Sequence, residues 1–280
     1  MSNDKNRIVA DCEIIGQIEV APHIFRSVLV EPTIAKAAKP GQFVNVRVCD
    51  CYDPLLRRPF SVHAVDPEKG TFSLLYDVVG RGTKILRDMH VGDKVSVVGP
   101  LGSSFDLGDD PNVHHMLVAG GCGTAPIHFL SDALCHKHGC DRVTVLVGAK
   151  TGTALLCQAE FVAHGVNVEV ATDDGSFGFN GLVTELLDNC LKSTLSLGIN
   201  TRVYSCGPMP MMREVARVCR ERNVDSCQVS LESAMACGLG VCMGCVTKAC
   251  DHHEESCEDW RYSRVCTDGP VFDAKELVWE

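Results

Sequence analysis

Four cysteines near the end of the chain have the residue type and spacing of an iron-sulfur site. Cys237, Cys242 and Cys245 follow a C-x4-C-x2-C pattern, and Cys266 supplies a distal fourth thiol. This is the plant-type spacing for a [2Fe-2S] cluster held by four thiolates. The alternative is a structural zinc site, but zinc sites usually contain two C-x2-C pairs and this segment contains one. We therefore predict an iron-sulfur site.

Further residues of metal-ligand type lie between Cys245 and Cys266, namely Cys250, His252, His253 and Cys257. They are interpretable as a second metal site or as a polar surface loop with incidental ligand types. No paired spacing such as C-x2-C supports a site there. We favour the loop.

Residues typical of a flavin site occur in the first third of the chain. In Arg58-Pro59-Phe60-Ser61 the guanidinium suits a pyrophosphate, the aromatic ring offers a stacking face and the hydroxyl suits a flavin ring nitrogen. A Gly-rich turn over residues 80–83 then leads into a predicted helix N-terminus, which suits a phosphate. An ordinary strand end and turn would contain the same residue types, so this motif is weak by itself.

A third motif, Gly120-Gly121-Cys122-Gly123-Thr124-Ala125-Pro126, lies between a predicted strand and a predicted helix. Glycines there let a dinucleotide pyrophosphate approach the backbone. No acidic residue ends the next strand, so this is not the usual Rossmann fingerprint, and a plain strand-turn-helix connection is the alternative. Cys206 ends a later strand, where it is a candidate contact for a nicotinamide. The predicted NAD contacts are Gly120, Gly121, Gly123, Thr124, Cys206, Gly207 and Pro208.

The elements that must position these residues change in type along the chain. Short β-branched segments separated by turns predict a β-barrel or sandwich up to about residue 105, with one short helix capped by Thr83 and running to Met89. From about residue 112, alternating strands and helices predict a parallel α/β sheet. After Leu231 a Gly/Cys-rich segment begins, too short for a hydrophobic core of its own, so something other than a core is expected to hold it together. The predicted domains are 1–108, 109–228 and 229–280.

Composition limits the classes of function. The chain has 280 residues, 45% of them hydrophobic, and a formal net charge of -10 without a Lys/Arg block, so nucleic-acid binding is a poor hypothesis. No apolar run approaches the length of a spanning helix and the first residues do not resemble a secretory signal, which predicts a cytoplasmic protein without a membrane segment. Seventeen cysteines are unusual there. Disulfides are improbable in that compartment, and the scattered cysteines are expected to be packing residues.

The order of these motifs resembles that of the ferredoxin-NADP reductase superfamily. Together with the cysteine motif and the ending Val265-Cys266-Thr267-Asp268-Gly269-Pro270-Val271-Phe272, nearly the whole chain looks like the family of dihydroorotate dehydrogenase B electron transfer subunits. Two departures are that Cys122 stands where a third glycine is common, and that the segment before Cys266 is longer than expected.

The resemblance implies an FAD-binding antiparallel β-barrel, an NAD-binding α/β domain and a small [2Fe-2S] segment. The implied iron ligands are Cys237, Cys242, Cys245 and Cys266. The implied FAD contacts are Arg58, Pro59, Phe60, Ser61, Leu75, Tyr76, Asp77, Gly82 and Thr83. The implied partner is an FMN-containing catalytic subunit, in a heterotetramer of two copies of each chain.

The expected function is an electron relay in pyrimidine biosynthesis, in which dihydroorotate is oxidised on the partner and NAD⁺ is reduced on this chain. No base for dihydroorotate is identifiable in the sequence. One alternative keeps the cofactors and changes the partner: the small subunit of an NADH-dependent ferredoxin:NADP oxidoreductase or of a sulfide dehydrogenase. Another is a non-enzymatic nucleotide-binding module with a structural zinc knot.

Overall fold

The computed structural model describes residues 7–250 and 260–279. The predictions for His252, His253 and Cys257 lie outside the described residues. Within the described ranges, no helix combines the length and the apolar character needed to cross a membrane.

The N-terminal part of the chain is a closed antiparallel barrel, as predicted. Its strands are β1 (Ile8–Ala21), β2 (Ile24–Val30), β3 (Phe43–Arg47), β4 (Arg58–Asp66), β5 (Thr71–Asp77) and β6 (Lys94–Leu101). Hydrogen-bonded neighbours follow the order β1-β2-β5-β4-β3-β6. Closure leaves no free strand edge, and the interior is filled by β-branched and leucine side chains such as Val44, Val62 and Leu74. Two short helices accompany the barrel, α1 (Pro32–Ala37) and α2 (Arg81–Arg87).

The start of α2 differs from the prediction. Gly80 is the N-cap, and Thr83 is the third helical residue instead of the cap. The hydroxyl of Thr83 accepts a hydrogen bond from the Gly80 N–H at 3.1 Å, so Thr83 reaches back to the cap position from inside the helix. The helix ends at Arg87, before Met89.

The second part is a sheet flanked by helices, also as predicted. Its parallel strands are β7 (His114–Gly120), β8 (Val143–Ala149), β9 (Asn167–Thr172), β10 (Phe179–Asn180), β11 (Thr201–Cys206) and β12 (Ser226–Ser230). The helices are α3 (Thr124–His138), α4 (Gln158–Ala163), α5 (Val183–Ser196) and α6 (Met209–Glu221). The spatial order β10-β9-β8-β7-β11-β12 places β7 and β11 side by side, so the loops that follow them meet at the carboxyl edge of the sheet.

The C-terminal segment does not stand apart from this sheet. It forms a small hairpin, β13 (Val246–Cys250) with β14 (Trp260–Arg264), and then β15 (Val271–Asp273), which pairs antiparallel with β12. Val265 and Phe272 belong to the same buried cluster as residues of α5, α6 and β12. The segment therefore shares the hydrophobic core of the α/β sheet, which the expectation that something other than a core holds it did not include.

One disulfide also departs from the sequence-based expectation. Cys49 and Cys51 are bridged in the loop between β3 and β4, with their Cα atoms 5.4 Å apart. Only one residue separates them, so the local turn alone brings the two thiols together. The expectation of packing cysteines is met by Cys12, Cys219 and Cys227, which are free and buried.

Candidate functional site

A cavity of about 590 Å³ lies between the barrel, the sheet and the start of the C-terminal segment. Its size is that of a typical cofactor site. Nearly all of the predicted FAD residues line it: Arg58, Pro59, Phe60, Ser61, Leu75, Tyr76, Asp77 and Thr83. The remaining one, Gly82, lies directly behind Arg58. The barrel strands β4 and β5 and the helix α2 thus bring three separate sequence motifs to one cavity.

The two neighbouring arginines have different surroundings. Arg57 points away from the cavity and donates to the backbone oxygen of Ser96 at 2.6 Å and to its hydroxyl at 3.0 Å, which ties β4 to β6. Arg58 lines the cavity. A Cβ atom on Gly82 would lie 2.3 Å from Nε of Arg58, so the guanidinium occupies the space that a side chain at position 82 would need. Of the two arginines, Arg58 is therefore the one that faces the cavity.

The aromatic wall of the cavity is rigid. The rings of Phe60 and Tyr76 lie 5.3 Å apart between centroids, and the Tyr76 hydroxyl is 3.3 Å from the hydroxyl of Ser27 inside the barrel. Burial raises the pKa of Tyr76, which keeps the phenol neutral. Fixed aromatic faces of this kind suit the planar ring system of a flavin.

Two ionisable residues outside the predicted FAD set, Cys122 and Glu232, are among the further residues that line this cavity. Burial, together with the nearby Glu232 and Asp77, raises the pKa of the Cys122 thiol to about 12. Glu232 is reached by solvent through the open cavity, yet the surrounding protein desolvates its carboxyl group and raises its pKa. Glu232 lies two residues after the end of β12. Its position just beyond a parallel strand is the sequence signal that could have identified it.

The predicted NAD loop is held by close backbone packing. A Cβ atom on Gly123 would lie 2.2 Å from the carbonyl oxygen of Cys206, and one on Gly207 would lie 3.0 Å from the carbonyl oxygen of Gly120. The Thr124 hydroxyl donates to the Gly121 oxygen at 2.8 Å, where α3 begins. The loops after β7 and β11 are thereby locked against each other at the carboxyl edge of the sheet.

The remaining predicted NAD residues differ in exposure. Gly121 is exposed, with φ at +54° and open space around its Cα atom. Pro208 caps the N-terminus of α6. The Cys206 side chain is fully buried, and Cys122 is the cysteine that reaches the cavity. The nicotinamide contact of Cys206 remains a prediction.

Three of the four predicted iron ligands lie in the loop between β12 and β13, and Cys266 lies two residues after the end of β14. The Leu239 N–H points at the Cys237 sulfur at 3.3 Å, and the Gly244 N–H points at the Cys242 sulfur at 3.4 Å. Burial opposes ionisation of Cys237, but backbone N–H groups and the Cys242 thiol outweigh it and lower its pKa to about 6. Amide groups aimed at sulfur stabilise thiolates and the negative charge of a cluster that they hold.

The sulfur atoms approach one another in two pairs. Cys237 lies near Cys242 and Cys266 lies near Cys245, and burial together with the Cys245 thiol raises the pKa of Cys266 to about 11. In the part of the chain that the structure describes, no three of these sulfurs lie within 4.8 Å of one another. A single zinc ion would bring all four to about 3.8 Å, given Zn–S bonds of about 2.3 Å in a tetrahedron. Two pairs fit two irons with two thiolates each.

The loop 237–245, here called the cluster loop, directly adjoins the cavity lined by the predicted FAD residues, here called the flavin cavity. Met235 and Pro270 line the cavity, two residues before Cys237 and four residues after Cys266. The amide nitrogen of Asn45, on strand β3 of the barrel, lies 3.5 Å from the carbonyl oxygen of Cys237. The backbone that carries the iron ligands therefore also forms the wall of the flavin cavity.

Known protein families cover the three parts of the chain. Residues 13–105 match the oxidoreductase FAD-binding domain, and residues 117–217 match the oxidoreductase NAD-binding domain. Residues 232–278 match the iron-sulfur cluster binding domain of dihydroorotate dehydrogenase B. FAD-, NAD- and iron-sulfur-binding domains are thus all present.

Curated relatives match over nearly the full length. A protein of Desulforamulus reducens, named dihydroorotate dehydrogenase B (NAD(+)), electron transfer subunit, is 40% identical over 97% of this chain and 99% of its own. A protein of Geobacillus thermodenitrificans with the same name is 38% identical over 95% of this chain and 96% of its own.

Solved structures agree in fold. A chain in the structure of an NADH-dependent reduced ferredoxin-NADP oxidoreductase, studied for flavin-based electron bifurcation, is 29% identical with a TM-score of 0.82, covering 96% of this chain and 90% of that one. A ferredoxin NADP⁺ reductase from Neisseria gonorrhoeae with bound FAD and NADP has a TM-score of 0.62 at 17% identity, covering 76% and 91%.

Proposed function

This chain belongs to the family of dihydroorotate dehydrogenase B electron transfer subunits, and from that premise we propose that it carries electrons from a dihydroorotate-oxidising partner subunit to NAD⁺ in pyrimidine biosynthesis. The bound cofactors supply the redox chemistry: single-electron transfer at the iron-sulfur cluster and exchange of a hydride with NAD⁺ at the flavin. The protein's part is to hold them at fixed spacing and to tune their potentials.

The observation that carries this proposal is the shared wall between the cavity and the cluster loop. Met235 lines the cavity, and Cys237 begins the ligand set two residues later in the same backbone segment. Arg58 is the residue for the FAD pyrophosphate, Phe60 and Tyr76 are those for the flavin ring, and Gly120 to Thr124 with Gly207 and Pro208 are those for NAD.

The partner is proposed to dock over the cluster loop. Leu239, Val241 and Met243 lie between the predicted iron ligands and are exposed. Solvent reaches 81% of the surface of Val241. Exposed apolar side chains around a redox site suit a protein partner. We propose an FMN-containing catalytic subunit, in a heterotetramer of two copies of each chain. The cytoplasmic location remains a prediction from the sequence.

Substitution of one iron ligand tests the relay. In Cys245→Ser we expect loss of cluster absorption and of dihydroorotate-dependent NAD⁺ reduction by the reconstituted complex, while NADH oxidation with a small artificial acceptor continues at the flavin. Cys190→Ser is the matched control, because Cys190 is a partly exposed cysteine on α5. Dihydroorotate oxidation by the isolated chain would contradict the proposed division of labour.

The likeness to the ferredoxin-NADP oxidoreductase structure supports a second candidate with another partner. The cofactors and their arrangement would be the same, so activity of the isolated chain does not separate the two. Affinity purification of the native complex does: a dihydroorotate-oxidising FMN subunit supports the first candidate, and a ferredoxin- or sulfide-dependent partner supports the second.

A further inference from the structure

The end of strand β8 carries a cation where a carboxylate is usual. In dinucleotide-binding sheets an Asp or Glu at the end of the strand after the first helix accepts hydrogen bonds from the adenosine ribose, and an arginine nearby accommodates the 2′-phosphate of NADP. Here that strand is β8, which follows α3, and the next residue is the exposed Lys150. Lys150 by itself suits NADP, so recognition of the free ribose hydroxyls of NAD⁺ requires a group from another element.

The direction of a bound dinucleotide follows from the position of the flavin cavity. On the sheet side this cavity is lined by residues that follow β7 and β12, among them Cys122 and Glu232. The nicotinamide has to reach the flavin there, while the pyrophosphate belongs at the glycine loop after β7, where α3 begins. In the strand order β9-β8-β7-β11-β12 the adenosine therefore extends the other way, over the ends of β8 and β9.

The end of β9 is close enough to take part. Neighbouring strands are about 4.8 Å apart, so β9 lies about 10 Å from β7, a distance that an adenosine and one side chain bridge together. Ala149 of β8 and Thr172 of β9 are paired, and Lys150 and Asp173 are the first residues beyond them. The Asp173 N–H donates to the Ala149 carbonyl oxygen at 3.1 Å, which fixes the backbone of the aspartate beside the end of β8.

The two aspartates at the end of β9 have different surroundings. The Asp174 carboxylate accepts from the Ser176 hydroxyl at 2.6 Å and from the Ser176 N–H at 3.0 Å, and these bonds lower its pKa. The Ser176 hydroxyl oxygen accepts from the Gly152 N–H at 2.7 Å, which joins the loop after β9 to the loop after β8. Asp174 therefore builds the turn. The exposed Asp173 carboxylate makes no hydrogen bond or ion pair within the described part of the chain, so it is available to a ligand.

We propose that Asp173 is the residue that selects NAD(H) over NADP(H). Its carboxylate accepts hydrogen bonds from the hydroxyl groups of the adenosine ribose, and its charge opposes a 2′-phosphate at the same place. The loops after β8 and β9 hold three charged side chains, those of Lys150, Asp173 and Asp174, so the two carboxylates outweigh the one ammonium. This inference rests on the proposed reduction of NAD⁺ at this chain and is independent of the identity of the partner.

Two nucleotide fragments test the proposal on the full-length protein with FAD and cluster in place. Adenosine 5′-monophosphate and adenosine 2′,5′-bisphosphate differ only in the 2′-phosphate, and neither takes part in redox chemistry. We expect calorimetric titration of the wild type to show at least about 10-fold tighter binding of the monophosphate. Asp173→Asn should reduce this preference at least about 10-fold, because the charge that opposes the phosphate is gone and Lys150 remains. Lys150→Ala should increase the preference.

Asp174→Asn is the matched control, because it removes the same charge from the same loop. Its amide oxygen still accepts from Ser176, so we expect the preference for the monophosphate to persist. The ratio of kcat/KM for NADH to that for NADPH, with ferricyanide as acceptor, should change in the same order across the variants. Equal binding of both fragments by the wild type, an unchanged preference in Asp173→Asn, or an equal loss in Asp174→Asn would overturn the proposal.

The same titration separates this proposal from the function on which it rests. Binding of neither fragment would contradict both the NAD⁺ site and the assignment of Asp173. Binding without a preference would contradict the assignment alone. The partner takes no part in the measurement, so a partner other than a dihydroorotate-oxidising subunit leaves the expected preference unchanged.

Discussion

Asn45 of the barrel lies against Gly238 of the cluster loop, so closely that a Cβ atom on Gly238 would be 1.8 Å from the Asn45 amide nitrogen. Gly238 also has φ at +68°, a left-handed conformation that L side chains rarely adopt. The cluster loop is thus seated on the flavin-binding barrel by a contact that only glycine permits.

Gly238→Ala should therefore impair the cluster. The added methyl group must displace either Asn45 or the loop that carries Cys237, and overpacking of this kind costs about 1–3 kcal/mol. We expect iron to fall well below the two atoms per chain of a [2Fe-2S] site, measured by metal analysis and by the EPR signal of the reduced protein. The double variant Asn45→Ala with Gly238→Ala should recover part of the iron, because the clash is removed while the backbone strain remains. Equal iron content in the single and double variants would contradict this account.

Gly82→Ala should weaken FAD binding. The methyl group would overlap Nε of Arg58 and push the guanidinium out of the position proposed for the pyrophosphate. Loss of a charge-assisted contact of about 1.5–3 kcal/mol corresponds to roughly 10- to 100-fold weaker binding, measured by flavin fluorescence titration of the apoprotein. Gly80→Ala is the control from the same turn, since its Cβ atom would meet nothing within 4 Å and its backbone is extended. Equal FAD affinity in the two variants would show that Arg58 does not contact the FAD pyrophosphate.

Gly123→Ala should weaken NADH binding and lower thermal stability. Its Cβ atom would meet a backbone carbonyl oxygen, that of Cys206, which cannot rotate away as a side chain can. The loop after β7 must then separate from the loop after β11. We expect the KM for NADH to rise roughly 5- to 140-fold, which corresponds to an overpacking cost of about 1–3 kcal/mol. Gly16→Ala on β1, where the new contact would be an ordinary 3.6 Å, should change neither quantity.

Stability should fall in mild acid because of His115. Burial, with help from His138, lowers the pKa of His115 to about 4. His115 takes up a proton near pH 6.5 in the unfolded chain but not in the folded protein. The resulting loss of stability is absent above pH 6.5 and grows as the pH falls toward 4. At pH 5 it amounts to about 2 kcal/mol. The drop in the urea midpoint between pH 7.5 and pH 5 should be smaller in His115→Gln than in wild type; an equal drop would contradict the assignment.

Much of the fold was predictable because the period of the hydrophobic pattern changes along the chain. The barrel and the α/β sheet follow from local periodicity and turn residues. The prediction that Thr83 caps the helix was wrong, because it is the third helical residue. In sequence, a threonine that bonds to the cap residue from the third position looks the same as a threonine at the cap. The pairing of β15 with β12 was not predictable, since three residues carry no periodicity and their partner is distant in sequence.

The sites were predictable to different degrees for a physical reason. The iron ligands and most of the cavity residues lie in contiguous motifs whose spacing reflects the ligand. Glu232 and Cys122 line the same cavity although they are distant in sequence. This pair has no characteristic spacing in the sequence, because tertiary packing alone brings the two residues together.

The pairing of β15 with β12 has a consequence for synthesis of the protein. Until residues 271–273 leave the ribosome, β12 is a bare sheet edge with unpaired backbone groups, and bare edges recruit other strands. Domains usually fold one after another from the N-terminus during translation. The α/β domain cannot do so, because its sheet is complete only after the C-terminal segment has been synthesised. Its last strand arrives only after the cluster loop has been made, so a finished nucleotide-binding sheet marks a chain whose iron ligands are all present.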